Sequence, residues 1–274
     1  MISQAISRSI GVFDSGVGGL SVLRAIRQEL PDNTVIYLAD QAHVPYGSRS
    51  LEEVRRFSEV ITRYLVDQGA GMIVVACNTA SAAALHFLRE KFPGIPFVGM
   101  EPAVKPAAEQ TQSGVVGILA TPATFQGALY ASVVERFASG VILLQDTCPG
   151  LVGQIEAGDL DGPRSRRILE EALAPMLAQD IDTIVLGCTH YPFVIPLIQN
   201  IAGPGVRVID PAPAVARQVR RVLEANEARF SQANPAATDS QQVYYYTTGE
   251  PTRFQSILKQ LTGESAPVAH ISLE

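Results

Sequence analysis

The chain is short of cysteine. Its 274 residues hold three, Cys77, Cys148 and Cys188, too few for a disulfide framework in a chain of this length. Thiols left free in this way fit a reducing cytoplasm. No uninterrupted apolar run reaches membrane-spanning length. The first nine residues carry only Met1, Ile2, Ala5 and Ile6 as apolar positions, which leaves no signal-peptide apolar region. There is no lysine- and arginine-rich run, and the net charge of −6 argues against nucleic acid or an anionic membrane as partner. These absences point to a cytoplasmic protein. At 47% hydrophobic and 18% charged the composition is that of an ordinary soluble globular protein, long enough for one large domain or two of modest size.

What the chain does have is a stretch used twice. Ile73-Val74-Val75-Ala76-Cys77-Asn78-Thr79-Ala80-Ser81 and Ile184-Val185-Leu186-Gly187-Cys188-Thr189-His190-Tyr191-Pro192 each begin as a β-branched apolar run, as expected of a strand buried on both faces. Each run closes on a cysteine followed at once by small hydroxyl or amide side chains. A helix is expected after the first copy, to about residue 91, and the strand-to-helix junction of an open α/β sheet is where ligands bind.

Strand signals also fall at 10–13, 35–39, 95–100, 115–119, 141–145, 206–209, 243–248 and 268–273. Helices are expected at 20–30, at 50–68 behind the capping box Ser50-x-x-Glu53, at 163–179, from 212 to about 228, and at 252–261. Residues 231–242 are polar and read as a loop. The loop Asp14-Ser15-Gly16-Val17-Gly18-Gly19 lacks one glycine of a dinucleotide fingerprint, since Ser21 stands at the third position. Asp14 would also repel a pyrophosphate, so that reading is rejected.

The order of landmarks then repeats. Ala120-Thr121 takes the place of Asp14-Ser15, Asp146 that of Asp40, Pro149-Gly150 echoes the Pro45–Gly47 loop, and Asp210-Pro211-Ala212 repeats Glu101-Pro102-Ala103. Offsets run from 103 residues (Gly47 to Gly150) to 111 (Cys77 to Cys188). Near-constancy over five landmarks indicates an internal duplication. The fold expected is α/β, with two pseudo-symmetric open parallel-sheet domains and the active site at their interface. The first domain would be discontinuous, 1–98 plus 210–274, and the second would cover 99–209.

A thiol at a helix N-terminus is expected to ionise more readily, because unpaired backbone N–H groups favour the thiolate. The same N–H groups can hold a substrate carboxylate, with Asn78, Thr79 and Thr189 as neutral donors beside each sulfur. Two thiols on opposite sides of a carbon would let one remove a proton while the other delivers one, inverting a stereocentre. Cys148 reads instead as an inert small hydrophobe. Asp14 and Ser15 also fit a helix cap. For His190 and Glu156 spacing alone leaves two readings open, a site pair or a core histidine and a surface charge. A cysteine hydrolase with Cys77 as nucleophile and His190 as base would leave the second cysteine unexplained. A non-catalytic amino-acid clamp is the other rival. Cys148, Cys188 and His190 lack the paired spacing of structural zinc.

Asp14-Ser15-Gly16-Val17-Gly18-Gly19, Pro45-Tyr46-Gly47, Cys77-Asn78-Thr79-Ala80 and Gly187-Cys188-Thr189-His190-Tyr191-Pro192 resemble the bacterial glutamate racemases. The likeness extends from Ile10 to Tyr245-Tyr246-Thr247-Thr248-Gly249. Paired cysteines are shared with aspartate racemases, whereas the Cys-Thr-His-Tyr-Pro form and the Pro-Tyr-Gly loop favour glutamate. The resemblance implies a racemase needing neither pyridoxal phosphate nor a metal. Cys77 would exchange the α-proton of D-glutamate and Cys188 that of L-glutamate. Asp14 would lie near Cys77 and the substrate ammonium, and His190 and Glu156 would assist near Cys188. Asp14, Ser15, Pro45, Tyr46, Gly47, Asn78, Thr79, Thr121, Thr189 and His190 are the expected substrate contacts, with Asp40 in a supporting position. The product D-glutamate would supply peptidoglycan precursors, and the assembly implied is a homodimer. The short leader before Ile10 lacks the longer extension of those members that respond to a cell-wall precursor.

Overall fold

Alternating side chains on the first strand point into two different apolar layers. Ile10 and Val12 join one cluster while Phe13 joins another, as the two-residue period of a strand requires. The computed structural model describes residues 9–226 and 242–273. Its strands are β1 (Ser9–Asp14), β2 (Val35–Ala39), β3 (Ala70–Val75), β4 (Phe97–Gly99), β5 (Val115–Ala120), β6 (Ile142–Asp146), β7 (Thr183–Gly187), β8 (Arg207–Ile209), β9 (Val243–Thr247) and β10 (Val268–His270). They form two sheets, ordered β10-β9-β2-β1-β3-β4 and β6-β5-β7-β8. All of the pairings are parallel. The order β2-β1-β3-β4 recurs as β6-β5-β7-β8, so the duplication read from the landmarks is a duplication of sheets. The last two strands extend the first sheet beyond β2.

Register decides which residues meet. Asp14 pairs with Ala39 and Phe13 with Val75, so β1, β2 and β3 end level, and Ser15, Asp40 and Cys77 leave the sheet together. In the second sheet Leu119 pairs with Asp146 and Ala120 with Gly187, which brings Thr121, Thr147 and Cys188 to one end. Carboxyl ends of parallel strands are where such sheets bind ligands. One apolar cluster runs from Val12 and Val74 through to Leu169, Leu173, Ile184 and Leu186, so the core continues from one sheet's layer into the other's.

Some boundaries differ from the pattern-based reading. β3 stops at Val75 and the following helix starts at Asn78, because Cys77 is the N-cap and its Sγ accepts the Ala80 N–H at 3.4 Å. β4 is shorter than 95–100, since the Met100 N–H turns to Ser81 Oγ at 2.8 Å instead of to a neighbouring strand. The helix expected at 163–179 spans Pro163–Leu177, and the one expected from 212 spans Ala212–Ala225. Residues 227 and 228 of the latter, and the polar loop expected at 231–242 except for Gln242, lie outside the described residues. The capping box is present: the Ser50 N–H donates to Glu53 Oε2 at 3.0 Å and the Glu53 N–H to Ser50 Oγ at 3.3 Å. No helix among the described residues is long and apolar enough to cross a membrane.

Candidate active site

Both repeated cysteines are buried and line one cavity of about 320 Å³. Cys77 comes from the first sheet, and Cys188 follows β7 of the second. Ser15, Pro45, Tyr46, Gly47, Asn78, Thr79, Thr121, Thr189 and His190 share the cavity wall. Asp14, Glu156 and Asp40 stand behind that wall. All three are buried, and each acts on a lining residue.

Asp14 is fully buried. Its Oδ1 accepts from the Gly16 N–H at 2.7 Å and the Ser15 hydroxyl at 3.1 Å, and its Oδ2 from the Thr189 hydroxyl at 2.8 Å. Those donors are neutral. Burial raises its pKa from 3.8 to about 6, against the lowering effects of the His190 charge and the Thr189 and Gly16 hydrogen bonds. A buried carboxylate with neutral partners favours a cation beside it, such as a ligand ammonium.

The Cys77 thiol does not follow the expectation for a helix N-terminus. Its pKa is raised, first by burial and then by the Asp14 charge, and the Ala80 N–H only partly opposes this. Removing a thiolate from water outweighs one backbone donor. Cys77 Sγ lies 4.0 Å from Ser15 Oγ, to which it donates. Cys188 likewise lacks the expected setting: the segment after it is a 3₁₀ turn, Tyr191–Val194, and an α-helix begins only at Ile195.

On the Cys188 side the polar group is a buried pair. Glu156 Oε1 lies 2.6 Å from His190 Nε2, and His190 Nδ1 lies 3.8 Å from Cys188 Sγ. Burial disfavours the Glu156 charge, yet the His190, Val17 and Gln41 hydrogen bonds bring its pKa below the usual value. Burial also disfavours the His190 charge, but the hydrogen bonds to Cys188 and Glu156 hold its pKa well above the usual value. The result is an imidazolium–carboxylate pair aimed at a sulfur. Of the two readings left open by spacing, the surface charge is excluded because Glu156 is buried, and His190, though buried too, lines the cavity.

The glycines of the 14–19 loop have a steric reason. A Cβ on Gly16 would overlap Glu156 Oε1, and one on Gly18 would overlap the His190 ring and Thr189 Oγ1. Only a bare backbone lets this loop of the first half close on the second. The Val17 N–H then reaches Glu156 Oε1 at 2.8 Å, and Ser21 Oγ the Thr189 carbonyl at 2.9 Å.

Neutral donors complete the wall. Thr79 Oγ1 lies 2.8 Å from Thr121 Oγ1, which lies 2.9 Å from Thr124 Oγ1. Asn78 is buried, with both ends of its side-chain amide unpartnered. Such a group is held ready for a polar ligand. Asp40 accepts the Tyr46 hydroxyl at 2.5 Å, the Thr248 hydroxyl at 2.7 Å and a His43 ring nitrogen at 2.9 Å, so it fixes the Tyr46-Gly47 wall from behind.

Sequence reasoning missed Thr147, Tyr191 and above all Cys148, which also line the cavity. From sequence Cys148 reads as an inert small hydrophobe; it is buried in the apolar cluster and also touches the cavity. It sits at φ 43°, with its N–H bonded to Asp146 Oδ1 at 2.7 Å, and burial, with the Asp146 charge, raises its pKa. The signal that could have placed it was the echo of Pro45–Gly47 in Pro149-Gly150. Among the described residues no group of three or more His, Cys, Asp or Glu could hold a metal ion.

The family model for Asp/Glu/Hydantoin racemase matches residues 10–219. The glutamate racemase of Ectopseudomonas mendocina (strain ymp) is 51% identical over 259 residues, covering 94% of this chain and 96% of that protein. The structure of glutamate racemase from Francisella tularensis in complex with D-glutamate matches with a TM-score of 0.82 at 30% identity, with 98% of each chain covered. That of Escherichia coli glutamate racemase, in complex with L-glutamate and the activator UDP-MurNAc-ala, matches with a TM-score of 0.83 at 31% identity, covering 97% of this chain and 98% of that one.

Proposed function

The chain belongs to the Asp/Glu/Hydantoin racemase family, and we propose that it interconverts L-glutamate and D-glutamate by moving protons between Cys77, Cys188 and the α-carbon. The observation that carries this reading is one cavity lined by two cysteines that come from the matching ends of two duplicated sheets.

In the L-to-D direction Cys188, as thiolate, takes the α-proton: the C–H bond breaks and an S–H bond forms. Cys77, as thiol, gives its proton to the opposite face of the carbanion, so its S–H bond breaks and the new C–H bond forms with inverted configuration. The buried, protonated state of Cys77 suits it to deliver. The carbanion is short-lived because its neighbouring carboxylate is a poor electron sink, so the donor must already be in place. His190, held by Glu156, exchanges the proton that passes through Cys188. In the D-to-L direction the roles reverse. The substrate ammonium then has a second use: paired with Asp14, it cancels the negative charge that raises the Cys77 pKa and helps that thiol ionise. Asn78, Thr79 and Thr121 receive the carboxylates without a cationic side chain, while the Thr189 hydroxyl holds Asp14. The residues in these roles use no pyridoxal phosphate or metal.

The same reading divides the chain into domains at 1–98 plus 210–274 and at 99–209. It places the enzyme in the cytoplasm as a homodimer, where its D-glutamate feeds peptidoglycan synthesis and so cell shape.

The test is hydrogen labelling. Protonated L-glutamate is allowed to react in heavy water and sampled early. New D-glutamate should carry deuterium at the α-carbon, delivered by a Cys77 equilibrated with solvent, while the remaining L-glutamate stays mostly protium. Substantial protium in early D-glutamate would sink the paired-thiol mechanism even if glutamate is racemised.

A further inference from the structure

Glu156 is held by both halves of the molecule. Its Oε1 carries two partners, the Val17 N–H at 2.8 Å and His190 Nε2 at 2.6 Å. Its Oε2 accepts from Gln41 Nε2 at 3.2 Å. With Val17 and His190 both on Oε1, the carboxylate could pivot about that oxygen; the Gln41 contact stops the pivot. Gln41 follows Asp40 at the end of β2, in the first half, whereas Glu156 ends the helix Leu151–Glu156 of the second.

The Gln41 amide is itself oriented. The Gly249 N–H donates to Thr247 Oγ1 at 3.0 Å, which leaves the Thr247 hydroxyl proton free to donate to Gln41 Oε1 at 3.1 Å. A carboxylate only accepts, so the amide nitrogen must face Glu156 and the amide oxygen Thr247. A directed chain therefore runs from Gly249 through Thr247, Gln41 and Glu156 to His190 and Cys188. It begins beyond the end of β9 and finishes at a cysteine of the other sheet.

We infer that Gln41 is a positioning residue for the Cys188 side of the site, orienting Glu156 so that His190 stays aimed at the sulfur. The catalytic part of this inference rests on the racemase reading above. Losing one hydrogen bond to a buried charge reduces catalysis by roughly tenfold. Because the two enantiomers are equally stable, kcat/KM must fall by the same factor in both directions. The isotope effects need not move together. Slowing proton removal by Cys188 makes that step more rate-limiting for L-glutamate and leaves removal by Cys77 less so for D-glutamate.

The experiment uses Gln41→Met, which keeps the length and packing but not the donor, and Gln41→Glu, which sets a second carboxylate against Glu156. Kinetics with α-deuterated L- and D-glutamate should show a larger isotope effect from the L side and a smaller one from the D side than in the parent protein, more so for Gln41→Glu. Independently of turnover, the proton resonance of the His190–Glu156 hydrogen bond, assigned by its loss in His190→Gln, should shift or broaden in the empty Gln41→Met protein. Parent-like isotope effects together with an unmoved resonance would overturn the role of Gln41 and leave the racemase reading intact. A shifted resonance in a protein that does not racemise glutamate would overturn the racemase reading and leave Gln41 as the residue that orients the pair.

Discussion

Thr189 Oγ1 donates to Asp14 Oδ2 at 2.8 Å, so the residue after one cysteine holds the carboxylate that is tied through Ser15 to the other. Asp14 Oδ1 accepts from Ser15 Oγ, and Ser15 Oγ accepts from Cys77 Sγ. The two thiols are thus joined by a short run of buried polar groups, and a change on one side is felt on the other.

Replacing either cysteine by alanine should remove racemisation while leaving the fold. Loss of one proton carrier lowers turnover by about 10²–10⁴-fold. Polarimetry in both directions, with far-ultraviolet circular dichroism for the fold, checks this. Near-native turnover in either Cys77→Ala or Cys188→Ala would refute the two-base assignment.

Asp14 makes the empty protein sensitive to pH. Its folded pKa of about 6 lies above the 3.8 of an exposed carboxyl, so its favourable contribution is complete below pH 3.8 and is lost as pH rises through about 6. The loss amounts to about 3 kcal/mol by linkage. Asp14→Asn should therefore melt higher than the parent at pH 8, with the gap closing toward pH 4, and should lack activity. Thermal melts of the two proteins across that range decide the point. A gap that stays constant with pH would show that the carboxyl is not raised.

Asn78 offers a separation of binding from stability. Its amide is buried and unpartnered in the empty site, a state that costs about 1–3 kcal/mol. Asn78→Ala should raise KM for glutamate by roughly tenfold without lowering the melting temperature. A lower melting temperature with unchanged KM would assign the amide to structure instead.

Steric closeness of the 14–19 loop can be tested with one methyl group. Gly16→Ala should drive Glu156 away and reduce kcat by about a hundredfold, because the new Cβ overlaps the carboxylate. Gly205→Ala is the matched control: a Cβ there meets nothing within 4 Å, and its activity and melting temperature should stay at parent values.

Much of this architecture was legible because its signals are local and repeated. β2 spans 35–39 as its apolar run indicates, and the helix Leu51–Asp67 starts where Ser50 and Glu53 announce it. Short helices such as Val104–Gln110, Ala128–Phe137 and Ile195–Ala202 were not anticipated, since few turns display little of the apolar period. At the cavity, motif strings led to Asp14, Cys77 and Cys188, but not to how those residues ionise. The rise in the Cys77 pKa depends on burial and on a carboxylate 63 positions earlier, which sequence spacing does not display. Gln41 was silent for the same reason, because Glu156 meets it only across the interface between the halves and Thr247 only through the pairing of β2 with β9.

The place of β9 has a consequence for how the chain matures. Val35 of β2 pairs with Val243, and Ala39 with Thr247, so one long side of β2 has no strand to bond until β9, some two hundred residues later, has been made. Strands β5 to β8 are contiguous in the chain and can pair as soon as they emerge. During that interval Val35-Ile36-Tyr37-Leu38-Ala39 is an unpaired apolar edge of the kind that recruits other chains. Newly made protein is therefore exposed to aggregation until β9 is released, and a premature stop anywhere before β9 leaves that edge permanently open.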